Sequence, residues 1–145
     1  MITFQTIPHD QMLEHARRIF PDECCGFFYG TEDADGNRNV REIVEVNNSK
    51  EGDKRRRFEI GAKDYLRAEQ YAIEKELLLL GIYHSHPNHP AIPSEHDRVA
   101  AQPYFSYIII SVMQGHIDHI RSWQLGEDTR FEEEILSPIH QHQSI

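Results

Sequence analysis

Hydrophobic and polar positions follow a helical period in three parts of the chain. The first helix, capped by Asp10 and ended by Pro21, is predicted from the apolar positions Met12, Leu13, Ala16, Ile19 and Phe20. Asp64 is the predicted cap of a second helix, whose inward positions are Tyr65, Ala68, Ala72, Ile73 and Leu77. The third helix is predicted from Ser94 to about Ala101, ahead of Pro103.

Between these helices the pattern is typical of strands. The predicted strands are 24–30, 40–46, 78–84, 107–113 and 117–124, with 131–136 a candidate edge strand. The runs at 78–84 and 107–113 are apolar throughout, which predicts strands covered on both faces. Strands and helices in this order predict one α/β sheet with helices on its faces. A single domain over 1–136 is expected, followed by a polar tail at 137–145.

Composition narrows the class of protein. The chain has 145 residues, 39% of them hydrophobic and 27% charged, so a globular core is expected. Its formal net charge of −9 argues against a general nucleic-acid binder, which needs a positive field. No apolar run approaches the roughly 20 residues of a membrane span, and no signal peptide is visible. The two adjacent cysteines, Cys24 and Cys25, form no disulfide framework; we expect them in the core and the protein in the cytoplasm.

A group of metal-binding residue types follows the central strand. His84 and His86 lie two apart at its end, so both imidazoles point to one face with their Cα atoms about 7 Å apart. Asp97 falls in the first turn of the next helix and can reach back across a proline-rich loop. Two imidazoles and one carboxylate suit a single zinc ion and leave a fourth position for water, as in a catalytic site.

Two further residues supply candidate catalytic groups. The water of a zinc site needs a general base, and the His-x-His unit contains no carboxylate. Glu23 is the best candidate, because a carboxylate at the mouth of the first buried strand is hard to explain by packing. The Ser94 hydroxyl, three residues before Asp97, is a candidate donor to an oxyanion. Ser94 and Asp97 also satisfy a helix capping box, so Ser94 is a candidate for both roles.

These residues together resemble the JAMM (MPN+) metalloproteases. That family has a distant Glu, then His-x-His, seven residues, Ser, two residues and Asp. Here Glu23 precedes His84 and His86, Ser94 is eight residues beyond His86, and Asp97 is three beyond Ser94. The resemblance extends from the first helix to about Gln124 and is greatest to the short bacterial and archaeal members.

The resemblance implies a cytidine-deaminase-like αβα sandwich with a central mixed sheet. It implies that His84, His86 and Asp97 bind one zinc, that Glu23 is general base and proton shuttle, and that Ser94 stabilises the transition state. The implied reaction is hydrolysis of an amide bond after the C-terminal Gly-Gly of a small ubiquitin-like sulfur-carrier protein, releasing an amino acid or short peptide. We expect the extended carrier tail to bind as an added strand at a sheet edge. About nine residues separate Asp97 from the next strand, too few for the second insertion of eukaryotic deubiquitinases.

Three other functions fit parts of the pattern. A nucleoside deaminase would share the implied fold, but it needs His-x-Glu and Pro-Cys-x-x-Cys, and neither is present. A non-catalytic MPN scaffold would lose metal ligands, whereas this chain keeps all three. A general zinc peptidase or a deubiquitinase-like deconjugating enzyme stays open, because the motif does not define the leaving group.

The remaining histidines and one basic segment have simpler explanations. His89 and His96 are expected in a loop and on an exposed helix turn, where substrate contact is the less favoured alternative. His116, Asp118 and His119 are expected on a solvated strand face and not in a second metal site.

The basic segment Lys54–Arg57 is expected to be a solvated loop. The alternative is a local positive patch that steers an acidic carrier. His140 and His142 lie in the polar tail, where the expectation is at most adventitious metal binding.

Overall fold

A mixed β-sheet with helices on both faces forms the molecule. The computed structural model describes residues 1–48, 52 and 58–137. Its strands are β1 (Ile2–Phe4), β2 (Cys25–Glu32), β3 (Arg38–Val46), β4 (Leu78–Pro87), β5 (Ser106–Met113), β6 (His116–Leu125) and β7 (Phe131–Glu134). Its helices are α1 (Thr6–Ile19), α2 (Ala62–Lys75) and α3 (Glu95–Ala100). The predicted α/β sheet is confirmed.

The strand order in the described sheet is β1-β3-β2-β4-β5-β6-β7. β1 pairs with β3 and β4 with β5 in parallel, and every other pair of neighbours is antiparallel. After β7 the chain returns to the far edge: the Ile2 N–H donates to Ile135 O (2.9 Å) and the Ser137 N–H donates to Ile2 O (2.8 Å). Because these residues join the two edges, the sheet curves around α1.

Each face of the sheet is covered by its own apolar cluster. The α1 face buries Ile2, Phe4, Met12, Ala16, Cys24, Phe28, Val40, Leu80, Tyr83, Ile108, Ile110 and Val112. The α2 face buries Phe27, Tyr29, Ala68, Ala72, Ile82 and Tyr107. Since β2, β4 and β5 contribute side chains to both clusters, they are the central strands, as the apolar runs predict for β4 and β5. A hydrogen bond of 2.6 Å between Tyr83 of β4 and His15 of α1 ties the central strand to its helix.

The predicted N-caps of α1 and α2 are wrong by a few residues. α1 begins at Thr6, with Gln5 as N-cap and no side-chain cap, so Asp10 lies inside the helix. Pro8 is tolerated in the first turn, where its missing N–H is not needed. In α2 the N-cap is Gly61, and Asp64 is the third helical residue, whose Oδ2 accepts from the Gly61 N–H (3.3 Å).

Two other details depart from the predicted pattern. Ile73 is predicted to point inward but is 78% exposed. It follows buried Ala72, and each successive residue of an α-helix points about 100° further around the helix axis. β1 was not predicted, since three residues are too few to show a strand period and its partner, β3, lies far along the chain. No helix in the described part of the chain combines the length and apolarity of a bilayer crossing.

Candidate metal centre

The carboxyl end of β4 carries both histidines of the motif. Successive strand residues point to opposite faces, so His84 and His86 share the α2 face while Ser85 points to the other. β4 lies between β2 and β5, with His84 opposite Cys25 on one side and Ile109 on the other. Both imidazoles are therefore buried in the middle of the sheet.

The first turn of α3 supplies the carboxylate. The Asp97 N–H donates to Ser94 Oγ (3.1 Å), and the Ser94 N–H donates to Asp97 Oδ2 (2.9 Å), which together form the predicted capping box. Asp97 is nevertheless buried and turned towards the histidines. The capping and metal-binding interpretations of this turn are thus compatible, because the same carboxylate has oxygens for both.

The three side chains converge on one point. Asp97 Oδ2 is 3.2 Å from His86 Nε2, and Asp97 Oδ1 is 3.7 Å from His84 Nε2. One donor atom from each residue lies within 4.8 Å of the other two, the one such group among the described residues. In a tetrahedral zinc site, bonds of about 2.0–2.2 Å place neighbouring ligands roughly 3.3 Å apart, so this spacing fits one ion after small adjustments.

The protonation states also fit a cation. His86 Nδ1 donates to Pro90 O (2.9 Å), because a carbonyl oxygen only accepts, so Nε2 is the nitrogen that faces Asp97 Oδ2, at 3.2 Å. Burial lowers the pKa of His84 to about 4, so its imidazole is neutral. Burial opposes ionisation of Asp97, but His84, the hydrogen bond with His86 and the Ser94 N–H outweigh it, and the pKa of Asp97 lies well below its usual value. Neutral imidazole nitrogens and an ionised carboxylate are the forms that bind zinc.

A buried histidine nitrogen without a hydrogen-bond partner also indicates an ion site. Nδ1 of His84 is buried and has no hydrogen-bond partner among the described residues. Its nearest acidic group is Glu23, with Oε1 at 3.8 Å. Because buried polar atoms are nearly always paired, an orphan beside three converging donors is expected where an ion and its water complete the site.

Glu23 reaches this centre from 61 residues upstream through strand pairing. It precedes β2, whose Cys25 lies opposite His84, and the Cys24 N–H donates to Ser85 Oγ (2.8 Å). The Glu23 side chain is buried, and burial followed by the charge of Asp97 raises its pKa to about 9. In the metal-free protein Glu23 therefore carries a proton at neutral pH, and its side chain lines the larger of the two cavities at the centre.

Two cavities border the three donors. One of about 520 Å³ is lined by Glu23, His86, His89, Pro90, Ile92 and Ser94. The other, of about 240 Å³, is lined in part by His84, His96 and Asp97. His89 and His96 thus each line a cavity that also contains a metal donor.

Sequence reasoning missed two residues of the centre. The Phe58 ring stacks on His84, with centroids 4.4 Å apart and an interplanar angle of 28°. Asn48 Nδ2 donates to Glu23 O (3.2 Å) and so helps to hold the backbone of that residue. Phe58 and Asn48 flank residues 49–57 of the β3–α2 connection, whose polar sequence carries no signal of contact with the centre.

The other sequence candidates lie elsewhere. Cys24 and Cys25 are buried outside the metal group, and burial raises the pKa of the Cys24 thiol to about 12, as for core residues. Lys54–Arg57, His140 and His142 lie outside the described residues.

Comparison with known proteins places the chain in a family. Residues 8–126 match the family model described as prokaryotic homologs of the JAB domain. The chain belongs to this family. The JAMM (MPN+) resemblance is thereby confirmed, and the His-His-Asp group of this JAB-family protein occupies the matched region.

Relatives and solved structures agree with the assignment. The protein is 30% identical over 125 residues to proteins named CysO-cysteine peptidase from Mycobacterium tuberculosis and Mycobacterium bovis, covering 86% of this chain and 82% of theirs. It is similar to the solution structure of a Desulfitobacterium hafniense protein, with a TM-score of 0.82, 30% identity and coverage of 98% and 96%. A Salinibacter ruber solution structure gives a TM-score of 0.71, 33% identity and coverage of 99% and 93%.

Proposed function

We propose that this JAB-family protein is a zinc-dependent peptidase that hydrolyses the amide bond after the C-terminal Gly-Gly of a small ubiquitin-like sulfur-carrier protein. The released group is an amino acid or a short peptide. The observation that carries the proposal is the convergence of His84, His86 and Asp97 beside the buried carboxyl of Glu23. The mycobacterial relatives, whose name specifies a cysteine removed from CysO, support the carrier as substrate class. A cytoplasmic location stays a prediction.

The proposed reaction assigns one task to each group of residues. Zinc, when bound by His84, His86 and Asp97, would polarise the scissile carbonyl and lower the pKa of a water to about 7. Glu23 takes a proton from the attacking water at its carboxylate and passes it to the nitrogen of the leaving amine. The Ser94 hydroxyl donates a hydrogen bond to the carbonyl oxygen as negative charge develops there.

An extended substrate suits the surroundings of the donors. The two cavities that border the donors, of about 520 and 240 Å³, leave room for substrate residues next to the scissile bond. Among the described residues, β3 pairs with β1 only at Arg38–Val40, so its later part is an open edge that ends at Val46, opposite Cys25 of β2. An added strand of carrier tail at this edge would supply backbone hydrogen bonds next to the centre.

The direct test combines metal analysis with mass spectrometry. Purified protein is dialysed, its zinc measured, and a sulfur carrier extended by one cysteine beyond Gly-Gly is added. We expect one zinc per chain and a carrier product shortened by that residue, with the reaction stopped by a chelator and restored by zinc. Zinc-loaded protein that leaves the carrier intact would exclude this substrate, and cleavage of unrelated peptides at equal rates would favour a general peptidase. Protein that retains no zinc would favour the scaffold alternative.

Replacement of Ser94 separates its two roles. Ser94→Ala removes the cap acceptor and the proposed oxyanion donor, so we expect about 1 kcal/mol less stability and roughly 10²-fold lower kcat. Ser94→Thr keeps the hydroxyl and is the matched control, with both quantities close to the wild type. Urea unfolding and carrier cleavage measure them. A stability loss in Ser94→Ala with unchanged kcat would show that the residue is a helix cap alone.

A further inference from the structure

One peptide group in the loop before α3 lies between two histidines. The carbonyl oxygen of Pro90 accepts from His86 Nδ1 (2.9 Å). The N–H of the same peptide group, on Ala91, donates to Nε2 of His119 in β6 (2.9 Å). His119 Nδ1 in turn lies 2.6 Å from Asp118 Oδ2. A continuous chain of hydrogen bonds therefore runs from the Asp118 carboxylate to His86.

The chemistry of the donors and acceptors gives this chain one direction. A backbone N–H only donates, so Nε2 of His119 must carry a lone pair and Nδ1 the proton that Asp118 accepts. A carbonyl oxygen only accepts, so His86 carries a proton on Nδ1. The contact with Pro90 thus holds Nδ1 away from the metal position and leaves Nε2 as the nitrogen that faces Asp97.

Neighbouring contacts hold the peptide group in place. Trp123 Nε1 of β6 donates to Ala91 O (3.0 Å), and Ser111 Oγ of β5 donates to His89 O (2.6 Å). Ala91 is fully buried beneath these contacts. The His119 side chain is 31% exposed, in keeping with the solvated strand face that the sequence predicts, but its Nε2 accepts from the N–H of buried Ala91.

We propose that His119 is a positioning residue that acts on the metal centre through the Pro90–Ala91 peptide group. It keeps His86 in the ligating tautomer and orientation, and the Asp118 charge, relayed through the polarised peptide, makes His86 a stronger donor. Hydrogen-bond partners of ligating histidines commonly have this effect, and chained hydrogen bonds strengthen one another. The inference rests on the proposed function in so far as a metal binds at His84, His86 and Asp97.

Metal affinity in three variants tests the proposal. Zinc affinity is measured by competition with a chromogenic chelator. His119→Leu removes the acceptor, and we expect zinc binding about 10- to 100-fold weaker. His119→Gln places an amide oxygen where it can accept from the Ala91 N–H, and we expect affinity within about threefold of the wild type on that reasoning. His116→Leu makes the same chemical change at an exposed position of β6 and is expected to bind zinc like the wild type.

A second measurement detects the relay without metal. In the metal-free wild type, nitrogen NMR should show a proton on Nδ1 of both His86 and His119, and the Ala91 amide should exchange slowly. His119→Leu should lose the Ala91 protection and the ordered His86 Nδ1–H signal, whereas His119→Gln should keep them.

The outcomes separate this inference from the function on which it rests. Equal zinc affinity in His119→Leu and wild type, or equal weakening in His119→Leu and His119→Gln, overturns the positioning role. Unprotected Ala91 in the wild type overturns it as well. A wild type that shows the relay by NMR and binds no zinc overturns the proposed function, and with it the role assigned to His119. Weaker binding in His119→Leu alone, with loss of the relay, supports the proposal.

Discussion

Glu23→Gln is expected to reduce carrier cleavage by roughly three orders of magnitude while leaving zinc content unchanged. The amide has the size of the carboxyl group but cannot take a proton from water or deliver it to a leaving amine. Because Glu23 is not among the three converging donors, metal binding should survive. Single-turnover cleavage followed by mass spectrometry, with zinc measured on the same sample, gives both quantities. Full cleavage by the zinc-loaded variant would remove Glu23 from the mechanism.

Stability of the metal-free protein provides the folding control for this variant. The pKa of Glu23 is raised from 4.5 to about 9, so its stabilising contribution is complete below pH 4.5 and is lost as the pH rises towards 9. Glutamine stays neutral over this window. We therefore expect Glu23→Gln to become progressively more stable than wild type as the pH increases from 5 to 8, by about 1–3 kcal/mol in urea unfolding. If Glu23→Gln is less stable than the wild type, its loss of activity would be explained by unfolding and not by the missing carboxylate.

Asp97→Asn is expected to lower zinc affinity by more than about 100-fold and to abolish cleavage, because it removes the one charged ligand. The asparagine oxygen can still accept from the Ser94 N–H, so the capping box and the metal-free stability should be retained to within about 1 kcal/mol. Asp97→Asn is thus expected to lose the metal and keep most of its stability, whereas Ser94→Ala is expected to lose stability.

Thermal unfolding with and without zinc measures this second effect. A ligand that binds only the folded protein stabilises it by about 4 kcal/mol when present at 1,000 times its Kd. Wild-type protein should show a zinc-dependent increase in Tm, and Asp97→Asn should show none at the same zinc concentration. A zinc-dependent increase of equal size in both proteins would place the ion away from Asp97.

Much of the central sheet and the start of α3 can be predicted from local sequence patterns. Apolar runs predict β4 and β5 as central strands, and their alternation places His84 and His86 on one face before any partner is known. The spacing from Ser94 to Asp97 predicts a capped helix start that the structure shows. These features depend on residues within a few positions of one another, so backbone geometry alone determines them.

The tertiary structure decided the parts that depend on distant residues. Glu23 meets His84 only through the register in which Cys25 of β2 pairs with β4, and no local periodicity encodes that register. β1 becomes a strand only because β3 and the residues after β7 supply its partners.

The grouping of His84, His86 and Asp97 could thus be predicted from the sequence, whereas the hydrogen bonds that link His86 to His119 could not. The pattern around His119 is that of a solvated strand face, since nothing in it encodes the loop residue that folds back onto β6. The physical reason is that side-chain periodicity reports which way a residue points within its own element. Which atoms it then meets is decided by strand order, register and the path of the connecting loops, and these exist only in the folded chain.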